Sequence, residues 1–335
     1  MFKGFRLRCK AASAIGVVVL CILAAACENR AASVTNTNAN TNAGPAEPPK
    51  VSDFSAARAF EHMKIMCELG PRPSGSAAIG KAQDYIQNEL KSYGLKVVED
   101  PFPAKTPRGT LPMKNIIAEL PGEKADLVLI TGHYDTKRQP GFIGANDGAS
   151  STAAVLETAR VLAKTRPEYT LWFVFFDGEE AVVEWEGTDN TYGSRRLVSR
   201  MQADGSLSRV RAMILYDMIG DKSLDLKRDA ESSPWLVDSI WNTAKRIGAA
   251  RFFLANETAI EDDHVPFRNE GIAAVDLIDF NYGPNHEYWH TSQDTLDKVS
   301  GESVKIVGDV VLNSLPEIFK QLNNPRPNPQ PRIPQ

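Results

Sequence analysis

Cysteine is scarce where this chain could fold: three of its four cysteines, Cys9, Cys21 and Cys27, fall in the first 27 residues, leaving Cys67 alone. A disulfide framework is excluded. Positive charge is not in excess either, with 38 Lys plus Arg against 42 Asp plus Glu and a formal charge of -4. No summed positive field exists to hold a polyanion, so nucleic acid is not an expected partner. No internal repeat is visible. The apolar stretch AIGVVVLCILAAA at residues 14–26 makes roughly 20 Å of helix against the ~30 Å hydrocarbon core of a bilayer, which argues against a permanent transmembrane span. What the chain does have is 335 residues, 42% hydrophobic and 24% charged. That is ordinary for a soluble globular protein and enough for one large α/β domain.

Lys3, Arg6, Arg8 and Lys10 precede the apolar stretch with no acid among them, so residues 1–26 read as a signal peptide. Ala24, Ala25 and Ala26 before Cys27 resemble a bacterial lipoprotein cleavage box, in which Cys27 becomes the lipidated new N-terminus. Plain secretion after cleavage at an alanine is the alternative. Either way the expectation is export, to a bacterial cell envelope or beyond it, with membrane contact only through the lipid. Residues 27–50, rich in Asn, Thr, Ala and Pro, cannot repay their ordering entropy and read as a flexible tether with a reach of roughly 25–30 Å. Residues 323–335, punctuated by proline, read as a disordered tail. The folded, catalytic part is then 51–322.

Within it helix and strand alternate. Apolar spacing predicts helices over 53–68, 76–93, 149–164, 193–201, 234–247 and 302–322. Short apolar runs predict strands at 95–98, 115–120, 127–131, 170–176, 212–216 and 273–278; the run at 170–176 is so uniformly apolar that it reads as a buried central strand. This pattern is that of an α/β single globular domain, a mostly parallel central sheet with helices on both faces. Ligands in such sheets sit beyond the carboxyl ends of the strands.

Those ends are where the polar residues gather. His133-Tyr134-Asp135 follows the third run and leads to Asn146-Asp147-Gly148; Asp177-Gly178-Glu179-Glu180 follows the fourth; Asp217 follows the fifth. Glu261-Asp262-Asp263-His264 and Tyr288-Trp289-His290-Thr291 come later. Imidazole and carboxylate donors without thiolate suit a catalytic zinc, which leaves a position open, better than a structural one. A free carboxylate beside a ligand carboxylate, as Glu179-Glu180 offers, supplies a proton carrier. Singly, each has a plainer reading: Glu179-Glu180 as the start of a helix, Asp147 as a helix cap. Their joint placement favours the metal.

Jointly the residues resemble the zinc-dependent aminopeptidase superfamily, over residues 54–322. The resemblance implies a zinc-exopeptidase-like fold, His133, Asp147, Glu180, Asp217 and His290 as possible metal ligands, and Glu179 as general acid/base. Within that superfamily the chain resembles the glutaminyl-peptide cyclotransferases, or glutaminyl cyclases. Trp185 in FFDGEEAVVEWEGTDNTYGSRRL, Asp262 in EDDHVPF and Trp289 before His290 carry that likeness. It implies one zinc on Asp147, Glu180 and His290, catalytic Glu179, Asp217 and Asp262, and a pocket walled by Trp185 and Trp289. The substrate would be the N-terminal glutamine of a peptide or protein, closed to pyroglutamate with loss of ammonia. The alternative is a two-zinc aminopeptidase, with His133 and Asp217 holding the second ion and Asp147 bridging. HTSQDTLDKV after Trp289 is equally natural for the peptidases. Where the cyclases carry a pocket phenylalanine five residues before the last metal histidine, this chain has Asn285, leaving Phe280 or Tyr282 to take its place. His62 and His286 read as ordinary residues, the first exposed and the second in a loop near the pocket, and Cys67 as an isolated core thiol.

Overall fold

The computed structural model describes residues 52–324. The expected signal peptide, the tether with Cys27, and the tail beyond Asn324 lie outside the described residues. In chain order the elements are α1 (Ala56–Glu68), α2 (Ala77–Ser92), β1 (Lys96–Thr106), β2 (Gly109–Leu120), β3 (Lys124–His133), α3 (Ala149–Leu162), β4 (Tyr169–Phe176), α4 (Tyr192–Ala203), β5 (Val210–Asp217), β6 (Leu226–Asp229), α5 (Pro234–Arg246), β7 (Phe253–Thr258), α6 (Val265–Asn269), β8 (Ala273–Ile278) and α7 (Gly301–Asn323).

Six strands form one sheet in the order β1-β2-β4-β3-β5-β8. The block β4-β3-β5-β8 is parallel throughout. Its side chains alternate between two cores. Val128 and Ile130 of β3 pack with α1, α3 and α7, while Leu127 and Leu129 pack on the opposite face with Leu197 and Met201 of α4 and Phe267 of α6. Burial on both faces is what makes such strands read as continuous apolar runs, and a mixed α/β domain with a mostly parallel sheet is the result. From β3 the chain moves to β4 on one side and returns through α4 to β5 on the other. The β3/β5 boundary is therefore the switch point of the sheet, where a crevice opens at the carboxyl ends.

Two regions depart from expectation. The strands foreseen at 95–98 and 115–120 are the two ends of a long antiparallel hairpin, β1 and β2, paired from Lys96↔Glu119 to Thr106↔Gly109. Pro101, Pro103 and Pro112 hid its outer half from pattern reading. They are tolerated because β1 is an edge strand and β2 meets β4 only over Ile116–Leu120. The second sheet, β6 with β7, carries the segments LKRD and FLANET, which show no apolar alternation to detect. His62, expected at the surface, is buried on α1 at 3% exposure, with its Nδ1 2.5 Å from the Tyr85 hydroxyl.

Candidate metal centre and active site

His133 is the last residue of β3 and Asp217 the last of β5, so the parallel register of the switch point brings them together; His133 Nε2 lies 3.1 Å from Asp217 Oδ1. Asp147 enters from the turn that opens α3. That turn requires glycine at 148: its φ is +90°, and a Cβ there would stand 2.5 Å from the Asp135 carbonyl oxygen. Asp147 Oδ1 is 3.2 Å from His133 Nε2, and its Oδ2 is 3.2 Å from His290 Nε2. Glu180 Oε1 completes the second set, 3.2 Å from the same His290 nitrogen. Two triads result, His133-Asp147-Asp217 and Asp147-Glu180-His290. The donor atoms of each lie within 4.8 Å of one another, and one oxygen of Asp147 faces each triad. Neither plainer reading is realised. Glu179 and Glu180 lie in a non-helical elbow well before α4, and the N-cap of α3 is Gly148, with no side-chain capping bond.

The electrostatics call for a cation. Burial works against a charge on Asp147, yet hydrogen bonds from His133 and His290 outweigh it and hold the carboxyl below its ordinary range. Burial likewise opposes a charged His290, but Asp147 and Glu180 push it up to about 9. The surrounding carboxylates thus push both His133 and His290 toward the charged form, against burial, as a carboxylate-rich centre that lacks a positive charge does. Glu180 Oε2 has no hydrogen-bond partner among the described residues. Nitrogen and oxygen donors without thiolate, buried and partly unbonded, fit zinc. Glu179 sits beside this centre, 7% exposed. Burial first, then Asp262 and Glu180, push its pKa well up against the opposing pull of His133.

Above the centre lies a cavity of about 430 Å³. Its floor is Asp147, Glu179, Glu180, Asp217, Asp262 and His290; its wall is made by Trp185, Met218, Ile260, Ile278, Phe280 and Trp289. Phe280 therefore faces the cavity from just past β8, while Tyr282 is buried and donates its hydroxyl to Asp294 Oδ1 at 2.7 Å. The Trp185 indole N–H donates to Glu261 Oε2 at 3.3 Å across the rim.

The model of peptidase family M28 matches residues 115–315. Bovine glutaminyl-peptide cyclotransferase is 31% identical over 278 residues, covering 72% of this chain and 75% of its own. The chain belongs to peptidase family M28, in its glutaminyl-peptide cyclotransferase branch. A solved structure of Acidobacteriales bacterium glutaminyl cyclase is 38% identical, with a TM-score of 0.78, covering 83% of this chain and 99% of that one. A leucine aminopeptidase precursor from Bacteroides thetaiotaomicron is also similar, at 26% identity and a TM-score of 0.71, over 79% of this chain and 99% of that one.

In this family member, supporting residues that sequence reasoning missed hold the donors in place. Asp135 accepts from the backbone N–H groups of Glu179 and Glu180 at 3.1 and 3.4 Å, fixing the elbow. Asp294 accepts from the N–H groups of Asn146 and Asp147 at 2.7 and 3.1 Å, and burial pushes its carboxyl up to about 7. Arg72, fully buried, donates to the carbonyls of Tyr134, Ile143 and Gly144, so it fixes the segments on either side of Asp147. Only Asp135, two residues from His133, offered a local signal.

Proposed function

We propose that this chain is a zinc-dependent glutaminyl-peptide cyclotransferase that converts the N-terminal glutamine of peptides or proteins to pyroglutamate and releases ammonia, using one zinc ion on Asp147, Glu180 and His290. The observation that carries the single ion is access. Those three ligands all line the cavity, whereas His133, 1% exposed, does not, and Asp217 Oδ1 is engaged inside the protein by His133 and by Ser151 Oγ at 3.3 Å.

A zinc ion held there supplies Lewis acidity toward a carbonyl oxygen. The protein's own part is proton transfer and enclosure. Glu179 takes a proton from the substrate α-amine as its nitrogen bonds to the γ-carbonyl carbon. It returns that proton to the amide nitrogen as the old carbon–nitrogen bond breaks and ammonia leaves. A positioned carrier of this kind contributes about 10²–10⁴-fold in rate. Asp217 and Asp262 accept hydrogen bonds from the reacting amine and orient it. Trp185, Phe280 and Trp289 wall the glutaminyl chain and exclude water, which would otherwise give glutamate. The sequence reading supports export, with this activity at the cell envelope if Cys27 carries a lipid and beyond it if the chain is simply secreted.

The test offers a glutaminyl and a leucyl peptide to the purified, zinc-loaded protein and measures ammonia, free amino acid and zinc per chain. Ammonia and pyroglutamate with one zinc are expected. Leucine release with two zincs would establish the aminopeptidase instead.

A further inference from the structure

The loop that carries both Trp289 and His290 holds an uncommon backbone conformation. Three of its non-glycine residues occupy the left-handed region: Asn285 (φ 53°), His286 (φ 65°) and His290 (φ 52°). Gly283 at its start is obligatory, because its φ is +77° and a Cβ would stand 2.3 Å from the Tyr288 ring. Such backbone persists only when its surroundings over-determine it.

The surroundings are a column of rings. Phe142 meets His290 edge-on at 5.7 Å. Trp289 stacks on His290, with centroids 3.9 Å apart and planes 18° apart. His286 stacks on Trp289 in turn, at 4.9 Å and 30°. Phe280 packs against both His286, at 4.5 Å, and Trp289, at 5.0 Å. His286 does not line the cavity, and both its ring nitrogens are shielded from solvent. It backs the two rings, Phe280 and Trp289, that do.

We propose that His286 is a positioning residue: its ring, acting as an aromatic slab and not as base or ligand, clamps Trp289 from behind and so fixes the His290 imidazole toward Asp147 and Glu180. The neighbouring Asn285 has no ring to offer in that place. The proposal rests on reading His290 as a ligand in the function proposed above.

The test compares His286→Ala, His286→Gln and His286→Phe in the zinc-loaded full chain, reading zinc release to a chelator, the KM and kcat for a glutaminyl peptide, and the melting temperature. Ala and Gln are expected to speed zinc release roughly tenfold, the scale on which outer partners tune metal affinity, and to raise KM more than they lower kcat. Phe restores both to within about twofold, at melting temperatures shared by all three. Unchanged zinc release in Ala and Gln overturns the proposal; so does a Phe variant as defective as Ala, since the nitrogens would then matter. Zinc release is read without turnover, so a protein that forms no pyroglutamate would sink the proposed activity and leave this readout to decide the clamp.

Discussion

The floor and the wall of the cavity are built differently. In the floor and just behind it, Asp217 ends β5 next to His133, which ends the neighbouring β3 outside the cavity, Asp147 opens a buried helix, and Glu179 and Glu180 follow the central strand β4. All five are buried. The wall rings Trp185, Phe280 and Trp289 sit on connections, and Trp185 belongs to a stretch, residues 183–188, that is mostly exposed. On the proposed function, the reacting groups stand at or just past the ends of buried elements, while the surface that would face the substrate rides on connections. Asp262, on the connection that also carries Ile260, and His290 are the exceptions, and His290 is the one in the proposed ligand set. It is a floor donor delivered by a wall loop, which makes it the joint between the two.

The sharpest way to break this division is Glu179→Gln. If Glu179 carries the proton and Glu180 holds the metal, turnover falls by about 10²–10⁴-fold while zinc content stays at the wild-type level. Loss of zinc would show that the roles of the pair are reversed. The joint itself is tested by comparing His290→Ala with His133→Asn. Zinc should be lost from the first and retained by the second, as measured by metal analysis after dialysis. Loss from His133→Asn with retention by His290→Ala would mean that the His133 triad is the one that binds.

The floor was legible in the sequence because strand ends are legible: a uniform apolar run such as Thr170 to Phe176 announces a buried strand, and the polar residues gathered just after such runs fall at the carboxyl end of the sheet, where crevices open. The wall was legible only in part. Trp185 and Trp289 stand close to Glu180 and His290 in the chain, and short separation kept them near the cavity. Phe280 was one of two candidates, and nothing local separated it from Tyr282, whose ring turns inward to meet Asp294. Asp294, Arg72 and the outer half of the β1–β2 hairpin act through partners distant in sequence or through prolines that mask the pattern. A single sequence gives no register between them.

A pH series separates the scaffold from the floor. Burial, partly countered by Glu89, lowers the His62 imidazole to about 4, against about 6.5 when unfolded. Between those values the unfolded chain binds the extra proton, so the contribution of His62 is complete above pH 6.5 and is lost as pH falls toward 4. Its ceiling is roughly 3 kcal/mol. Because α1 packs on α3, the helix that Asp147 opens, acid loosens the support of the floor. His62→Gln should flatten the loss between pH 7 and pH 4.5 in urea midpoints, measured against the wild type. An unchanged slope would place the acid sensitivity elsewhere.

The smallest expected effect lies at the rim. The Trp185–Glu261 hydrogen bond is long, at 3.3 Å, and exposed, so it is worth about 0.5 kcal/mol or less. Glu261→Ala frees the indole without touching a floor residue. It should raise KM by up to about twofold and leave kcat and zinc content as they were. A fall in kcat comparable to that of Glu179→Gln would mean that rim and floor move together, because loss of a weak contact on a loop can reach the chemistry only if the loop sets the position of the reacting groups. An unchanged kcat with a raised KM shows the wall binding without catalysing, which is the separation that its placement on loops implies.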